Sequence, residues 1–567
     1  MGAFSGNEDW GLPMRIGLVE GMERLQELES AWREIYCLDP ESQFYLSWSW
    51  LSAYLQKTAG DWLVLVATPE GADRPVALLP IRLQLKRRKK SGKYFNTLKM
   101  AGNYAADYTG LLCLPEFEGQ ALTAFAKYLR TMPWARLSFD YLCISERRKS
   151  LLLGAFSENT YRIQSGSRIN TTDGVDNLIC PYVDLPDSFE TYLSERLSAN
   201  SRQKLRRLLR RLDEGDEYQV SQTKEATLEN DLEILLRFWR EQWARRKGAR
   251  AERIITNNRV LLRDAFEAGY LSLPVLWKNE RPIAALGSYL DHEKKSVLFM
   301  IGGRDPSFGE MPAGLALHAH SIRHAIETGF RTYDFMRGNE PYKYSLGARD
   351  RVIECITVST RSGLNPGGRL PLRSIPTVFK EVTALHQRQL REEAETGYRQ
   401  ILATAPNHVG ALYGLGQLLA AKGDDKRALG KFEKLAVLQP GRANVWLRLA
   451  HARKRLSLLA SAGEAYRKAA ELDNKLLAAH YGLAKCLADE GHTREATDIL
   501  QSMMRLPPRS EDDKEVSRQA ARLLGVLRPA LTFHHPLVQP GASLNKSMPI
   551  VVTDKSAPMF LSKFPGK

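Results

Sequence analysis

The chain has 567 residues, of which 43% are hydrophobic, and a formal net charge of +16. This length is enough for about three to four domains with buried cores, which excludes a small disulfide-stapled module. The six cysteines show no CxxC spacing, so the sequence predicts neither a zinc cage nor a disulfide framework, and a reducing cytoplasm fits best.

The N-terminal stretch "MGAFSGNEDWGLP" has neither the basic region nor the apolar region of an export signal, and residues 1–14 are expected to be a flexible N-terminus. Apolar runs such as "WLVLVA" are far shorter than the roughly 20 residues of a membrane span. We therefore expect a cytoplasmic protein without a transmembrane segment, although peripheral membrane contact stays possible.

Residues 15–365 alternate short β-rich runs with helical stretches, which is typical of a mixed α+β fold. "WLVLVATPEGADRPVALLPIRL" and "YLSLPVLWKNERPIAALGSYL" each predict strand, polar turn, strand. This echo favours two copies of one fold, over residues 15–180 and 181–365. Chance similarity between two hairpins is the alternative.

The segment "SRQKLRRLLRRLDEG" predicts an amphipathic helix with an apolar stripe of leucines and with Arg206 and Arg210 among the arginines of its other faces. Such a face either binds an anionic ligand, acidic glycan or lipid, or is simply solvated. No zinc finger, RRM-like motif or helix-turn-helix signature accompanies it, so specific nucleic-acid binding is disfavoured. Further on, Trp239 and Trp243 share a helix face, where they either line an acceptor groove or belong to the core.

A glycine-containing loop, "RDPSFGEMPAG", precedes a helix predicted from about Ala313 to Thr328. Gly309, Met311, Ala313 and Gly314 would leave backbone N–H groups free at the helix N-terminus, where phosphate oxygens bind. An ordinary strand-to-helix turn is the alternative. His320 and His324 lie one helical turn apart on this helix, but no third ligand is evident, so the sequence predicts no metal site.

After this helix, "TYDFM" predicts a strand that ends in a turn crowded with polar side chains. Asp334 lies on the strand, Arg337 follows it, and Tyr342, Lys343 and Tyr344 surround the turn after Pro341. A tyrosine hydroxyl, with a pKa near about 10, keeps its proton at neutral pH and can donate it to a developing anion. The turn is therefore a candidate active-site segment.

The C-terminal part is helical and periodic. Pro406, Pro440, Asn474 and Pro508 lie 34 residues apart, and small and large side chains keep the same register. This pattern resembles the tetratricopeptide repeat (TPR), predicted over residues 386–526, with a protein partner implied; an ordinary helical bundle is the alternative. Composition predicts a linker at 366–385 and a disordered tail at 527–567.

The stretch "RDPSFGEMPAGLALHAHSIRHAIETGFRTYDFMRGNEPYKYSLG", with "FYLSWSWL" and "DYTGLL" upstream, resembles the GNAT acyltransferases of the CelD/BcsL type over about residues 15–360. It is similar, more distantly, to the Fem-type aminoacyltransferases. The resemblance implies tandem GNAT-like mixed sheets with flanking helices, followed by a C-terminal all-α TPR solenoid. The usual GNAT pyrophosphate signature, Gln or Arg followed by xxGxG/A, is not present in standard form.

The resemblance also implies an N-acyltransferase that moves an acyl group from acetyl-CoA or another acyl-CoA to an amine on a small molecule or glycan precursor, in cellulose or exopolysaccharide production. It assigns Tyr342 as the acid, with Tyr344 as the alternative, Lys343 and Arg337 as anion ligands and Asp334 as a base or amine ligand. The loop glycines with Met311 and Ala313 would hold the cofactor, and Trp239, Trp243, Arg206 and Arg210 the acceptor. Two alternatives stay open: a catalytically degenerate adaptor, and an aminoacyltransferase that uses aminoacyl-tRNA.

Overall fold

The computed structural model describes residues 13–58, 62–102, 105–214 and 216–532, and it divides into two compact units. The first unit comprises Met1–Gln84 and Asn96–Leu364, and the second comprises Leu85–Phe95 and Asn365–Lys567. Most of the predicted flexible N-terminus, residues 1–12, lies outside the described residues.

The strands of the first unit follow the predicted hairpins and alternating runs. In chain order they are β1 (Met14–Val19), β2 (Trp62–Pro69), β3 (Ala77–Arg87), β4 (Tyr94–Met100), β5 (Leu112–Cys113), β6 (Arg136–Leu142), β7 (Tyr161–Gly166), β8 (Ile179–Asp184), β9 (Tyr218–Gln222), β10 (Leu271–Ser272), β11 (Pro274–Lys278), β12 (Arg281–Asp291), β13 (Ser296–Arg304), β14 (Thr332–Asp334), β15 (Arg349–Val352) and β16 (Glu354–Thr360).

These strands form two mixed sheets of the same design. The first has the order β1-β2-β3-β4-β6-β16-β7, and the second has the order β9-β11-β12-β13-β14-β8-β15. The two echoing hairpins, β2–β3 and β11–β12, occupy the same place in each sheet, and each sheet contains one parallel pair, β4 with β6 and β13 with β14. The predicted tandem α+β architecture is confirmed.

The second half of the first unit contributes one strand to the sheet of the first half. β16, from the end of the second half, lies antiparallel between β6 and β7 of the first sheet. β8, which follows the first half in the chain, lies antiparallel between β14 and β15 of the second sheet. β16 joins the two halves into one folding unit, since the first sheet is complete only with this strand from the second half.

The helices of the first unit cover the faces of these sheets. They are α1 (Met22–Gln26), α2 (Glu29–Leu38), α3 (Trp48–Lys57), α4 (Glu118–Thr131), α5 (Glu146–Leu153), α6 (Phe189–Arg196), α7 (Ala199–Asp213), α8 (Leu228–Lys247), α9 (Ala251–Glu267), α10 (Ala313–Glu327) and α11 (Pro341–Tyr344). Because strand side chains alternate between faces, Ala285 of β12 shares a core cluster with Leu235 of α8, whereas Leu286 shares another with Leu317 of α10. The second sheet is therefore covered on both sides.

Apart from Leu85–Phe95, the elements described in the second unit form a stack of helices. They are α12 (Ile375–Gln387), α13 (Arg391–Thr404), α14 (Val409–Ala421), α15 (Asp425–Leu438), α16 (Ala443–Arg455), α17 (Leu459–Leu472), α18 (Leu477–Asp489), α19 (Thr493–Met503) and α20 (Glu511–Thr532). Two glycines of these helices lie against aromatic rings: a Cβ on Gly416 would lie 2.8 Å from the ring of Phe432, and one on Gly482 would lie 2.3 Å from that of Tyr466. Small residues are required where these aromatic rings insert.

The ends of the repeat region differ from the predicted boundaries. The predicted linker, 366–385, contains most of α12, because Val378, Val382 and Leu385 are buried in the core of the second unit. The proline and glycine residues that predicted a linker lie before this helix, except Pro376 in its first turn. At the other end α20 continues to Thr532, past the start of the predicted disordered tail, and residues 533–567 lie outside the described residues.

Candidate active site

Two parallel strands separate at the centre of the second sheet. β13 and β14 pair only from Ser296–Thr332 to Leu298–Asp334. β14 then turns towards β8, where the Phe335 N–H donates to the Pro181 carbonyl at 2.9 Å, while β13 continues along β12 to Arg304. Within the described residues, no strand pairs with the other edge of β13 beyond Leu298. The divergence leaves backbone N–H and C=O groups of β13 to which an extended ligand with amide groups can form hydrogen bonds.

A register shift in the β12–β13 ladder marks the same place. Gly287 pairs with Ile301 and Ser288 with Phe299, so Met300 is the extra residue of a bulge. A bulge changes the direction of a side chain, and Met300 lines a cleft at this point.

The predicted phosphate loop leads from β13 into α10. No side chain caps the N-terminus of α10 at Pro312, and a Cβ on Gly314 would meet only the Arg304 side chain, at 4.0 Å. Met311 and Ala313 are buried, whereas Gly309 has open space around it. An uncapped helix N-terminus with a small first turn favours an anionic group.

The Glu310 carboxylate in this loop is bound by Lys278 and Tyr218. Lys278 donates to its two oxygens at 2.5 and 2.6 Å, and the Tyr218 hydroxyl donates at 3.2 Å. Hydrogen bonding by Lys278 lowers the pKa of the Glu310 carboxyl. The carboxylate that precedes α10 in the chain is thus already paired with a cation.

Lys343 is enclosed by the turn that follows β14. Its ammonium group donates to the carbonyls of Gly338 at 2.7 Å, Arg337 at 3.1 Å and Met336 at 3.4 Å, and it lies 3.0 Å from the Glu340 carboxylate. Only 2% of the residue is exposed. The ammonium therefore ties the turn together, and its predicted role as an anion ligand stays a prediction.

Tyr342 lies on the other side of this turn, against α10. Its ring packs 5.7 Å from His318 and 6.4 Å from Phe335, and its hydroxyl makes no hydrogen bond to the described residues. Desolvation, followed by the nearby Glu340, raises the pKa of Tyr342, so the hydroxyl holds its proton at neutral pH. These properties suit a proton donor.

His318 is the partner of Tyr342 that sequence reasoning missed. Its imidazole is buried, and its Nδ1 lies 3.0 Å from the Tyr333 hydroxyl. Desolvation, with a smaller effect from Lys343, lowers the pKa of His318 to about 3, so the ring is neutral. Nothing in "LALHAHS" separates this histidine from His320, because only the packing of α10 on the sheet determines which one is enclosed.

Asp334 joins three distant parts of the first unit. The Tyr108 hydroxyl lies 2.8 and 2.9 Å from its two oxygens, Arg351 donates at 2.6 Å, and the Met336 N–H donates at 2.7 Å. The guanidinium of Arg351 also stacks 4.3 Å from the Tyr182 ring. Burial raises the pKa of Asp334, although the ion pair with Arg351 and these hydrogen bonds oppose that effect.

A cleft of about 400 Å³ contains side chains from both halves of the first unit. Its polar centre is Arg337, which donates from Nε to Asp107 at 2.7 Å and stacks 4.0 Å from the Tyr141 ring, with Arg168 at 5.9 Å from the same ring. The residues that line the cleft are Asp107, Tyr141, Arg168, Asn177, Trp239, Ile254, Asn258, Met300, Ile301 and Arg337.

The structure brings some of the predicted site residues together and separates others. Arg337 and Trp239 line the cleft, whereas Trp243 packs against the core cluster of the first unit without lining it. Arg206 and Arg210 lie on the exposed side of α7, where Arg206 donates to Glu190 at 2.6 Å and Arg210 lies 3.9 Å from Glu214. The assigned roles of these residues stay predictions.

The cleft residues from the first half were missed, apart from Asp107 within the quoted "DYTGLL". Tyr141 has a left-handed backbone, with φ of 58°, at the end of β6. No local pattern indicates that Asp107 and Arg337, 230 residues apart, form an ion pair.

Neither a metal site nor a membrane-spanning helix is found in the part of the chain that the structure describes. Over residues 13–532, outside the gaps named above, no group of three His, Cys, Asp or Glu side chains is placed to hold a metal ion. No helix in this part of the chain is both long and apolar enough to cross a membrane.

Comparison with known proteins identifies one domain. Residues 199–344 match the family model described as acetyltransferase (GNAT) domain. No match to a curated protein was found. The chain therefore carries a GNAT acetyltransferase domain that includes α7, the separating strands β13 and β14, and the turn with Tyr342.

Among solved structures, FemX is similar at 10% identity over 60% of this chain and 96% of its own, with a TM-score of 0.41. MamA from Desulfovibrio magneticus RS-1 is similar at 24% identity over 23% of this chain and 75% of its own, with a TM-score of 0.23. The Yersinia enterocolitica type III secretion chaperone SycD, solved with a peptide of the translocator YopD, is similar at 24% identity over 21% and 92%, with a TM-score of 0.21.

Proposed function

We propose that the protein is a cytoplasmic N-acyltransferase that transfers an acyl group, most simply acetyl, from acyl-CoA to an amine acceptor. The acceptor would be an amino sugar or another precursor in exopolysaccharide, cellulose or cell-envelope synthesis, as the resemblance to the CelD/BcsL type implies. The repeats would bind a protein partner through their concave face. The observation that carries the proposal is the GNAT-domain match, which coincides with the opening between β13 and β14.

The donor fits this opening by simple chemistry. The free edge of β13 beyond Leu298 offers backbone groups to the amides of a pantetheine arm. The uncapped N-terminus of α10 would face the pyrophosphate, because its first-turn N–H groups and dipole favour negative charge.

The transfer itself requires an amine that has lost a proton and an acid for the departing thiolate. The amine nitrogen forms a bond to the thioester carbonyl carbon, the carbon–sulfur bond breaks, the sulfur takes up a proton, and the nitrogen releases one to water. Tyr342 would supply that proton, since its hydroxyl is protonated at neutral pH and has no partner in the described residues. The cleft around Arg337 would hold the acceptor, with Trp239 along one side.

A charge placed at the α10 N-terminus tests the donor site. In Gly314→Asp the new carboxylate suits the helix dipole but repels a pyrophosphate, so acetyl-CoA binding should weaken by about tenfold or more while the melting temperature is kept. Gly119→Asp is the matched control, because Gly119 lies in the first turn of α4 and also has open space around it. Calorimetry with acetyl-CoA and longer acyl-CoAs measures both variants. Equal affinity in wild type and Gly314→Asp would remove the pyrophosphate assignment.

Two alternatives give different results in the same assay. The shared cleft between two sheets of one design favours an aminoacyltransferase, which would bind aminoacyl-tRNA rather than acyl-CoA. The complete internal pairing of Lys343 and Asp334 favours a catalytically degenerate adaptor, which would bind neither donor. Release of free CoA with a panel of amino sugars then separates an active enzyme from one that only binds the donor.

A further inference from the structure

The second unit contains a groove larger than the cleft of the first unit. It has a volume of about 530 Å³ and lies between α13 and α15, over α14. In the repeat pattern α14 is the first helix of a pair and α15 the second, so the groove runs between second helices of neighbouring pairs. This is a different surface from the concave face that the proposed function assigns to partner binding.

The walls of this groove, named here the α13–α15 groove, are basic. Its cations are Arg399, Lys426, Arg427 and Lys431. Arg399 pairs with Glu395 at 2.7 Å, and Arg427 lies 3.4 Å from Asp424. Lys426 and Lys431 form no ion pair with any residue that the structure describes. The groove therefore keeps an excess of positive charge.

The floor of the groove is apolar and includes Leu402, Leu415 and Leu419. Gly430 opens one wall, since a Cβ added there would meet no atom within 4 Å. A glycine inside a helix is unfavourable compared with alanine, and here packing of the unit does not require it. The missing side chain instead gives access to the floor.

Because the repeat is 34 residues long, the groove can be compared with the equivalent place one repeat later, between α15 and α17. There Glu433 takes the position of Arg399, Arg453 that of Leu419, and Glu464 that of Gly430. The Arg453 side chain crosses this position, 3.7 Å from Glu433 and 3.0 Å from the Ser461 carbonyl that accepts its hydrogen bond. Ala460 and Ala465 stand where Lys426 and Lys431 would be. The open, basic groove is thus absent from the next position in the stack, so the repeat fold by itself does not create it.

We infer that the α13–α15 groove binds an acidic peptide segment of a partner protein. Carboxylates of the peptide would pair with Lys426 and Lys431, and a leucine-like side chain would enter past Gly430 to the apolar floor. The volume is within the range of about 300–1,000 Å³ typical of ligand pockets. The inference does not depend on acyl transfer by the first unit.

The chain's own C-terminal segment does not have the charge of this ligand. Residues 533–567 contain Lys546, Lys555, Lys563 and Lys567 and a single acidic residue, Asp554. A basic segment is repelled by a basic groove, so the charge complementarity points to a separate, acidic partner.

The test uses the full-length protein and a fluorescein-labelled peptide of repeated Glu-Glu-Leu triplets, with fluorescence anisotropy as the readout. Two comparison peptides replace Glu by Gln or Leu by Ser. We expect the acidic apolar peptide to bind more tightly than both, with an affinity that falls as salt increases. A wild-type chain that does not bind it at low salt, or that binds the Gln peptide equally well, overturns the inference.

Two variants locate the binding. Lys426→Glu/Lys431→Glu reverses the wall charge, and Gly430→Leu fills the opening while it keeps the charge; each should weaken binding by about tenfold or more. Lys434→Glu/Lys468→Glu is the control, because it makes the same change in net charge at exposed lysines that do not line the groove. It should change affinity by less than about threefold.

The leucine variant distinguishes a groove from general surface charge. Circular dichroism and the melting temperature confirm that it folds. If Gly430→Leu binds like wild type while both double variants lose affinity equally, the peptide follows surface charge and the groove assignment is wrong. If competition by anionic phospholipid vesicles is lost in Gly430→Leu but peptide binding is kept, the ligand of the groove is a lipid surface and the inference also fails.

Discussion

The ammonium of Lys343 is enclosed by oxygen atoms of its own turn, at 2.7–3.4 Å from three carbonyls. Lys343→Met keeps the length of the side chain but leaves those buried acceptors without a donor. We expect a loss of about 2–3 kcal/mol in the free energy of unfolding, measured by urea denaturation. Lys127→Met, at an exposed position of α4, is the control and should change stability by less than about 0.5 kcal/mol. An unchanged urea midpoint in Lys343→Met would instead favour a lysine that is available to a ligand.

Tyr342→Phe removes the proton donor and keeps the ring that packs on His318. If Tyr342 protonates the departing thiolate, kcat should fall by roughly 10²-fold or more, with donor affinity and melting temperature nearly unchanged. The measurement is release of free CoA with whichever amine acceptor gives turnover. Tyr344→Phe is the control, because the Tyr344 hydroxyl is already bonded to Asp350 at 2.7 Å. Full activity in Tyr342→Phe with loss in Tyr344→Phe would move the acid role to Tyr344.

The turn itself could be predicted from the sequence, but the directions of its side chains could not. "RGNEPYKYSLG" identifies a polar turn after a strand, yet Arg337 points into the cleft, Tyr342 packs on α10 and Lys343 points into the turn. These directions depend on left-handed backbone at Met336 and Gly338, with φ of 59° and 101°. Such conformations are set by the surrounding packing, and at Met336 the residue type gives no indication of them.

At the scale of elements, local sequence patterns predict the hairpins and helices, but they do not predict which sheet β16 joins. The β2–β3 and β11–β12 hairpins follow from alternation and turn residues within about 25 residues of chain. The pairing of β16 with β6 joins segments more than 200 residues apart, as the Tyr141–Cys355 contact across 214 residues illustrates. No short-range sequence pattern indicates which of two similar sheets a strand such as β16 joins. The predicted domain boundary at 180–181 therefore could not show that β16 pairs with the first sheet.

A buried charge tests the central place of β16. Val358 pairs with Leu137 of β6 and Ile163 of β7 and is fully buried, whereas Val352 on β15 is 69% exposed. Val358→Asp should cost about 4 kcal/mol or more, because an unpaired carboxylate would replace core contacts on both sides. Val352→Asp, six positions earlier, should stay within about 0.5 kcal/mol. Urea unfolding, monitored by tryptophan fluorescence, gives the unfolding midpoint of each variant. Similar midpoints would contradict the place of β16 between β6 and β7.

At the scale of the whole molecule, the helical unit should fold as a separate fragment, because stacked repeats contact mainly their neighbours. The fragment 365–532 retains α12, with Val378, Val382 and Leu385 in its core, and the fragment 386–532 does not. We expect both to show helical circular dichroism and the longer one to melt cooperatively at a higher temperature, since each buried aliphatic side chain contributes about 1.5–3 kcal/mol. Equal melting temperatures would place α12 outside the cooperative unit.

Acid should destabilise both units through histidines that burial keeps neutral. Desolvation lowers the pKa of His318 to about 3 in the first unit and that of His451 to about 4 in the second. An unfolded histidine titrates near about 6.5, so as the pH falls below this value the unfolded chain takes up protons that the folded chain does not. Stability is therefore kept above pH of about 6.5 and decreases towards pH of about 4.

A histidine replacement separates this effect from acid titration elsewhere. His451 packs 5.6 Å from the Tyr466 ring, and Arg448, Lys454 and Arg455 add to the lowering of its pKa. In the fragment 365–532, His451→Gln should reduce the decrease in urea midpoint between pH of about 7 and 5, because the glutamine does not titrate. His492→Gln, at an exposed position before α19, is the control and should leave the pH profile unchanged. If both variants keep the wild-type slope, the acid sensitivity belongs to carboxylates, whose protonation releases ion pairs such as Lys422–Glu395.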